Sequence, residues 1–227
     1  MTIELWHEFI TVAAFHLLAV ISPGPDFAVV VKQSVSQGRK IGIYTAFGVG
    51  TAILIHVSYS LLGIGLLIRN SQWLFDILKY VAAAYLFYIG TKAIRSKKIA
   101  SPEIEELIET PQTSQRRDDD KEKNLDQSFL KAYWMGFLTN GLNPKATLFF
   151  FSLFAVVISP NTPVIIQVGY GIYMAIVTAL WFVLVALLFG HKRVRIKFEK
   201  MGHWFDRVMG VALIALGIKI ATTSLDV

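Results

Sequence analysis

Ile21-Ser22-Pro23-Gly24-Pro25-Asp26 interrupts the first long apolar run of the chain, and its reading decides the fold. Proline lacks the amide hydrogen a helix needs, and its ring collides with the carbonyl four residues back. Pro23 and Pro25 therefore release the carbonyls of Ala19 and Ile21, and the helix is predicted to break here. Ser22 and Gly24, each directly before a proline, are pushed toward extended backbone. Asp26, the one acid of the span, follows at once. A second interruption, Leu142-Asn143-Pro144-Lys145, repeats the arrangement in a later apolar run with the sign of the charge reversed. The two breaks are the candidate functional centre.

The surroundings of these breaks are those of a membrane. Hydrophobic residues make up 54% of the 227 and charged residues only 17%, with a mean hydropathy of +0.53. That is too apolar for a soluble domain of this size, so the chain reads as a polytopic membrane protein. There is no cysteine, hence no disulfide framework and no thiolate site. Residues 1–8 hold Glu4 and Glu8 without a Lys or Arg, unlike the basic leader of a cleaved signal, so the first run is expected to stay as a span. A net charge of +6 does not by itself point to nucleic acid, because in a membrane protein the distribution of bases matters more than their total.

A helical span needs about 20 predominantly apolar residues. Stretches 7–31, 41–68, 73–92, 129–158, 164–190 and 204–223 qualify, the first and fourth carrying the proline breaks. Within the second, Ala46, Gly48, Gly50 and Ala52 are spaced for close approach of another helix, a better reading than a ligand loop. Residues 95–127, with Glu103, Glu105, Glu106, Glu109 and a charge run from Arg116 to Lys121, have the composition of a solvated, largely disordered linker. The stretch from His191 to Lys200 reads as a basic loop. The expected architecture is all-α: six transmembrane helices in two three-helix units, residues 1–94 and 128–227, joined by the polar linker 95–127.

With six spans, the loops after spans one, three and five share a side and carry most of the bases, among them Lys32, Arg39, Lys40, Arg95, Arg117, Arg193 and Lys200. The opposite side has little beyond Arg69 and Lys79, with Lys219 near the end of the last span. The basic side is then cytoplasmic and both termini face out. The two units also echo one another. Trp73 to Asp76 parallels Trp204 to Asp206, and Leu86, Gly90 and Lys92 parallel Leu213, Gly217 and Lys219. Three spans per unit force opposite orientations, the inverted repeat of many secondary transporters.

Ser22-Pro23-Gly24-Pro25-Asp26 with its glycine-rich following span, Asn140-Gly141-Leu142-Asn143-Pro144-Lys145-Ala146, and six spans around a polar linker together resemble the LysE/RhtB amino-acid exporters over nearly the whole chain. That resemblance implies a multi-pass efflux carrier of the bacterial inner membrane, whose termini the distribution of bases puts in the periplasm. It implies export of amino acids or their derivatives, generally driven by the proton gradient; neither enzyme activity nor a cofactor is expected. It does not name the substrate.

Physical chemistry reaches a compatible site independently. An ionised side chain at the bilayer centre costs about 2.5–3.5 kcal/mol on insertion scales, so Asp26 and Lys145 need a reason to be there. If Pro25 and Pro144 open half-helices, Gly24 and Asn143 become their caps and free amide hydrogens face the breaks. Lys145 with the Asn143 half-helix then suits a carboxylate, and Asp26 an ammonium. The carbonyls of Ala19, Ile21 and Asn140 are expected to take further ammonium hydrogens, with Ser22 and Pro23 shaping the first break. The rival reading is a lock in which Asp26 and Lys145 simply pair. His16 and His56 are candidate proton relays, although a lone intramembrane histidine more often just bonds a neighbouring helix. Tyr44, Tyr59, Tyr85, Tyr88, Tyr170 and Tyr173 either line a cavity or belong to an interfacial belt. The faces at Gly210, Gly217 and Ala82 to Ala84 suit either a homodimer or packing within one chain. A divalent-metal exporter is the alternative function, with Asp26, His16 and His56 as conceivable ligands. Against it stand the lack of cysteine, of a His-rich loop and of paired HxxxH spacing. GxSxG and HExxH motifs of membrane-embedded enzymes are absent.

Overall fold

The computed structural model describes residues 2–70, 72–95, 121–159, 161–189 and 192–222. All regular structure among them is helical: α1 (Thr2–Ile21), α2 (Pro25–Ser36), α3 (Arg39–Asn70), α4 (Gln72–Ile94), α5 (Lys121–Gly141), α6 (Pro144–Val156), α7 (Val164–Leu188) and α8 (Lys192–Thr222). Both breaks fall where the prolines require. Pro25 opens α2 behind an extended Gly24, and Pro144 opens α6 behind an extended Asn143.

Two boundaries differ from the sequence expectation. α8 begins at Lys192, so the basic stretch expected as a loop is helix; Lys, Arg, Phe and Glu run there without Gly or Pro until Gly202. α5 likewise begins at Lys121, so the last residues of the expected linker are helical. The rest of that linker lies outside the described residues. By length and apolarity, Ile3–Ile21, Arg39–Gly63 and Val164–Leu188 can each cross a membrane alone, and Pro144–Ala155 is a shorter apolar helix. The proline breaks explain part of the difference from six: they divide two long runs into segments such as α2 and α6, each shorter than a bilayer core.

α3 is the hub, packed against α5 on one side and α7 on the other, with α2 and α6 also against it; α4 pairs with α8. Missing side chains permit these approaches. A Cβ on Gly48 would strike the Tyr133 carbonyl of α5, and one on Gly136 would strike the Thr45 carbonyl of α3. Gly50 sits against α7, where a Cβ would lie 2.6 Å from that of Ala179. The close-packing reading of the small residues in the second span is therefore correct. Gly90 and Gly210 face each other across the α4–α8 seam, and Gly217 backs onto the Ala83 carbonyl. Those glycines are used within the chain.

The bundle keeps its buried polar side chains within apolar packing and turns large apolar side chains outward, the arrangement a lipid solvent favours. His16, Thr45, His56, Ser60 and Ser152 are fully buried, while Trp6, Trp73, Leu142, Ile165 and Trp204 are each more than 60% exposed. Two apolar cores lie at successive levels along α7. Tyr170, Met174 and Ala175 belong to one with Val12, Phe150 and Leu213; Phe182, Val185 and Ala186 belong to the other with Phe27, Val31 and Val49. Thr178 falls between them. At the far end of the first core, Glu8 ties α1 to the turn before α7, accepting from Ser159 N at 2.8 Å and from Thr162 Oγ1 at 2.9 Å.

Candidate functional site

The level of Thr178 is also the level of both breaks. A cavity of about 50 Å³ there is lined by Ser22, Gly24, Pro25 and Asp26 of the first break and by Asn140, Asn143 and Lys145 of the second. His16, Ile53, Thr178 and Met209 close its sides, and Phe149, Phe150, Phe27 and Phe182 bring in the edges of the two cores. Volume of this order holds a few water-sized groups.

Local chain chemistry fixes each polar group. Asn143 has Oδ1 on the Lys145 amide at 3.0 Å, capping α6, and its Nδ2 donates to Asp26 Oδ2 at 3.4 Å. Asn140 Nδ2 donates to the same oxygen at 3.0 Å. Lys145 Nζ donates to Ser22 Oγ at 3.2 Å. Each break thus supplies a polar side chain to the charge of the other. Among the described residues no direct ion pair joins Asp26 to Lys145, so the simple lock is not what the geometry contains. The carboxylates acting on Lys145 through space are Asp206 of α8 first and Asp26 second.

Other expectations need correction. The Asn140 carbonyl is not open to a ligand: it accepts from His56 Nε2 at 3.0 Å and from the Asn143 amide at 2.9 Å. Because that carbonyl can only accept, His56 carries its proton on Nε2 and takes the Tyr59 hydroxyl on Nδ1. His56 is outside the cavity lining and ties α3 to the end of α5. His16 does line the cavity, with Nε2 3.0 Å from Thr178 Oγ1 of α7. None of the six tyrosines lines it. Tyr170 instead packs on Phe9 and donates to the Leu5 carbonyl at 3.3 Å, near the N-terminal end of α1. No group of three or more His, Cys, Asp or Glu among the described residues is placed to hold a metal ion.

The LysE type translocator family matches residues 17–224, which include both breaks. The chain belongs to that family. No solved structure matches it. Among curated relatives, this translocator is 30% identical over 214 residues to the threonine efflux protein of Salmonella typhi, covering 93% of this chain and 96% of the relative. It is 29% identical to the threonine efflux protein of Escherichia coli (strain K12) over the same shares. It is also 26% identical to an uncharacterised membrane protein of Bacillus subtilis (strain 168), over 94% of this chain and 98% of the relative.

Two residues that line the cavity, Thr178 and Met209, had no signal in the sequence alone, since they sit in apolar runs like any other helical residue. Asp206, which acts on Lys145 through space, stood out only as part of a repeat. Their depth on α7 and α8 is set by which helices neighbour them, which one-dimensional spacing does not state.

Proposed function

We propose that this translocator exports amino acids or their derivatives from the cytoplasm across the bacterial inner membrane in exchange for protons. One observation carries the reading: a carboxylate and an ammonium, each at the start of a proline-opened half-helix, line one cavity without pairing. A zwitterion has the complementary charges. Lys145 and the amide end of α6 receive the carboxylate, which displaces Ser22 from Nζ. Asp26 receives either the substrate ammonium or the coupled proton, and alternation between the two on one carboxylate gives antiport. A solute larger than a few waters reaches the cavity only when the bundle opens on one side, as alternating access requires. The threonine efflux relatives favour a small, uncharged side chain, in keeping with the aromatic and aliphatic walls.

The wider architecture proposed is six spans in two inverted halves, with both termini periplasmic and residues 95–127 cytoplasmic. Matching Leu86, Gly90 and Lys92 to Leu213, Gly217 and Lys219 also matches Ala83 to Gly210. The Gly90–Gly210 and Gly217–Ala83 approaches are then one contact seen from each half, which supports the repeat.

The test is uptake of labelled L-threonine into everted membrane vesicles from cells that make the protein. Accumulation that needs an imposed proton gradient and collapses with a protonophore is expected. Uptake no greater than in vesicles lacking the protein, across threonine and representative neutral, basic and acidic amino acids, would overturn the proposal.

A further inference from the structure

Among the described residues, three buried polar atoms of cavity-lining side chains have no hydrogen-bond partner: Asp26 Oδ1, Asn140 Oδ1 and His16 Nδ1; the His56 ring also lies near the Asn140 side chain, but its Nε2 is bonded to the Asn140 carbonyl. Asn140 and His16 are themselves 3% and 0% exposed. Buried polar groups are almost always paired, so three around one small cavity mark a place built for a ligand.

The chemistry of the two oxygens follows from what the rest of each group does, and that of the ring nitrogen from its tautomer. Asp26 Oδ2 takes two amide donors, at 3.0 Å from Asn140 and 3.4 Å from Asn143. An ionised carboxylate only accepts, so Asn140 turns its nitrogen to Asp26 and is left with a carbonyl oxygen. The Thr178 hydroxyl can accept from or donate to His16 Nε2; in the tautomer with the proton on Nε2, the one taken here, Nδ1 keeps a lone pair. The unmet groups are then all acceptors, two oxygens and one imidazole nitrogen, beside a negative charge. A carboxylate or phosphate has no hydrogen to offer them. A water has two hydrogens and no charge, and an alkali cation is poorly served by a nitrogen ligand. A primary ammonium has three N–H bonds and the right sign.

We infer that Asp26 Oδ1, Asn140 Oδ1 and His16 Nδ1 together seat a primary ammonium, R–NH₃⁺, one hydrogen to each, so that the carrier selects its substrates by the degree of substitution on nitrogen. This rests on the cavity being the export site and deepens that reading. It makes His16 a ligand-contacting residue rather than a proton relay. It also gives the Asn140 side chain, not its carbonyl, the recognition role.

The test pairs L-threonine with N-methyl-L-threonine, which keeps the charge but has only two N–H bonds. Both are measured on the purified full-length protein, by thermal stabilisation in detergent and by transport in proteoliposomes. Wild type is expected to favour threonine at least about tenfold, the scale of one hydrogen bond to a charged group. In His16→Ala or Asn140→Ala only two acceptors remain, so the preference should fall toward parity whatever the absolute rate. Because the ratio is taken within one preparation, partial loss of fold does not mimic the effect; if neither variant folds, the wild-type ratio decides. Equal handling of the two compounds by wild type, or an undiminished ratio in both variants, would overturn the inference. A protein indifferent to amino acids that binds 2-aminoethanol tenfold better than its N-methyl analogue would retain this ammonium site and lose the amino-acid reading. No stabilisation by any amine would remove both.

Discussion

Asn143 joins two parts of the site with one amide. Its oxygen caps α6 and its nitrogen touches Asp26, so the start of the second half-helix and the charge of the first are set by the same side chain. This indirect coupling changes what charge removal should do. If Asp26 and Lys145 formed a lock, either neutral variant would leave an unpaired buried charge, costing about 3–5 kcal/mol, and removing both would restore the protein. With no direct pair, Asp26→Asn is expected to insert normally and lose export by tenfold or more. Lys145→Met should weaken export less completely, because the bare helix start still contributes about 0.3–1 kcal/mol toward a carboxylate. The double variant should fold and stay inactive. Vesicle uptake with quantified protein checks this, and near wild-type export by the double variant would refute the zwitterion site.

Among the helices, contact is governed by what is missing from glycine. Backbone cannot yield as a flexible side chain can, so Gly48→Ala, whose new Cβ meets the Tyr133 carbonyl and lies 2.8 Å from Phe137 N, must force α3 and α5 apart. A cost of about 1–3 kcal/mol is expected, seen as a lowered melting temperature in detergent. Gly63 is the contrast: it lies in the same helix with nothing within 4 Å of its would-be Cβ. Gly63→Ala should be neutral or stabilising by up to about 1 kcal/mol, since alanine is the better helix former. Equal melting temperatures for wild type and Gly48→Ala would show that the α3–α5 seam is looser than described. The small residues of the second span are legible as packing positions from their spacing: Ala46 and Gly50, and Gly48 and Ala52, are each four apart and mark two faces, and Gly48 and Gly50 meet different helices, α5 and α7.

For the whole molecule, the distribution of bases predicts the orientation. In a chain without cysteine, single substitutions Thr2→Cys, Ser114→Cys and Ser224→Cys report sidedness without background. An impermeant thiol reagent added to intact cells with a permeabilised outer membrane should label the first and third and spare Ser114→Cys. Labelling of Ser114→Cys would invert the topology and with it the assignment of the linker to the cytoplasm.

Composition and three prolines sufficed to read a helical membrane protein with two broken helices, because hydropathy and the missing amide hydrogen act within a few residues of chain. The same local rules placed Asp26 and Lys145 beside the breaks and named Asn143 as a cap. They failed where a carbonyl or a ring has several partners within reach. The Asn140 carbonyl, free by proline geometry alone, is taken by His56 from another helix. The two histidines, alike in sequence, divide: one faces the cavity and the other ties two helices together. Thr178, Met209 and Asp206 reach the site only through α7 and α8. Those outcomes depend on which helix faces are neighbours and at what depth. That is decided by the packing of glycine seams between helices far apart in the chain, and no local stretch of residues contains it.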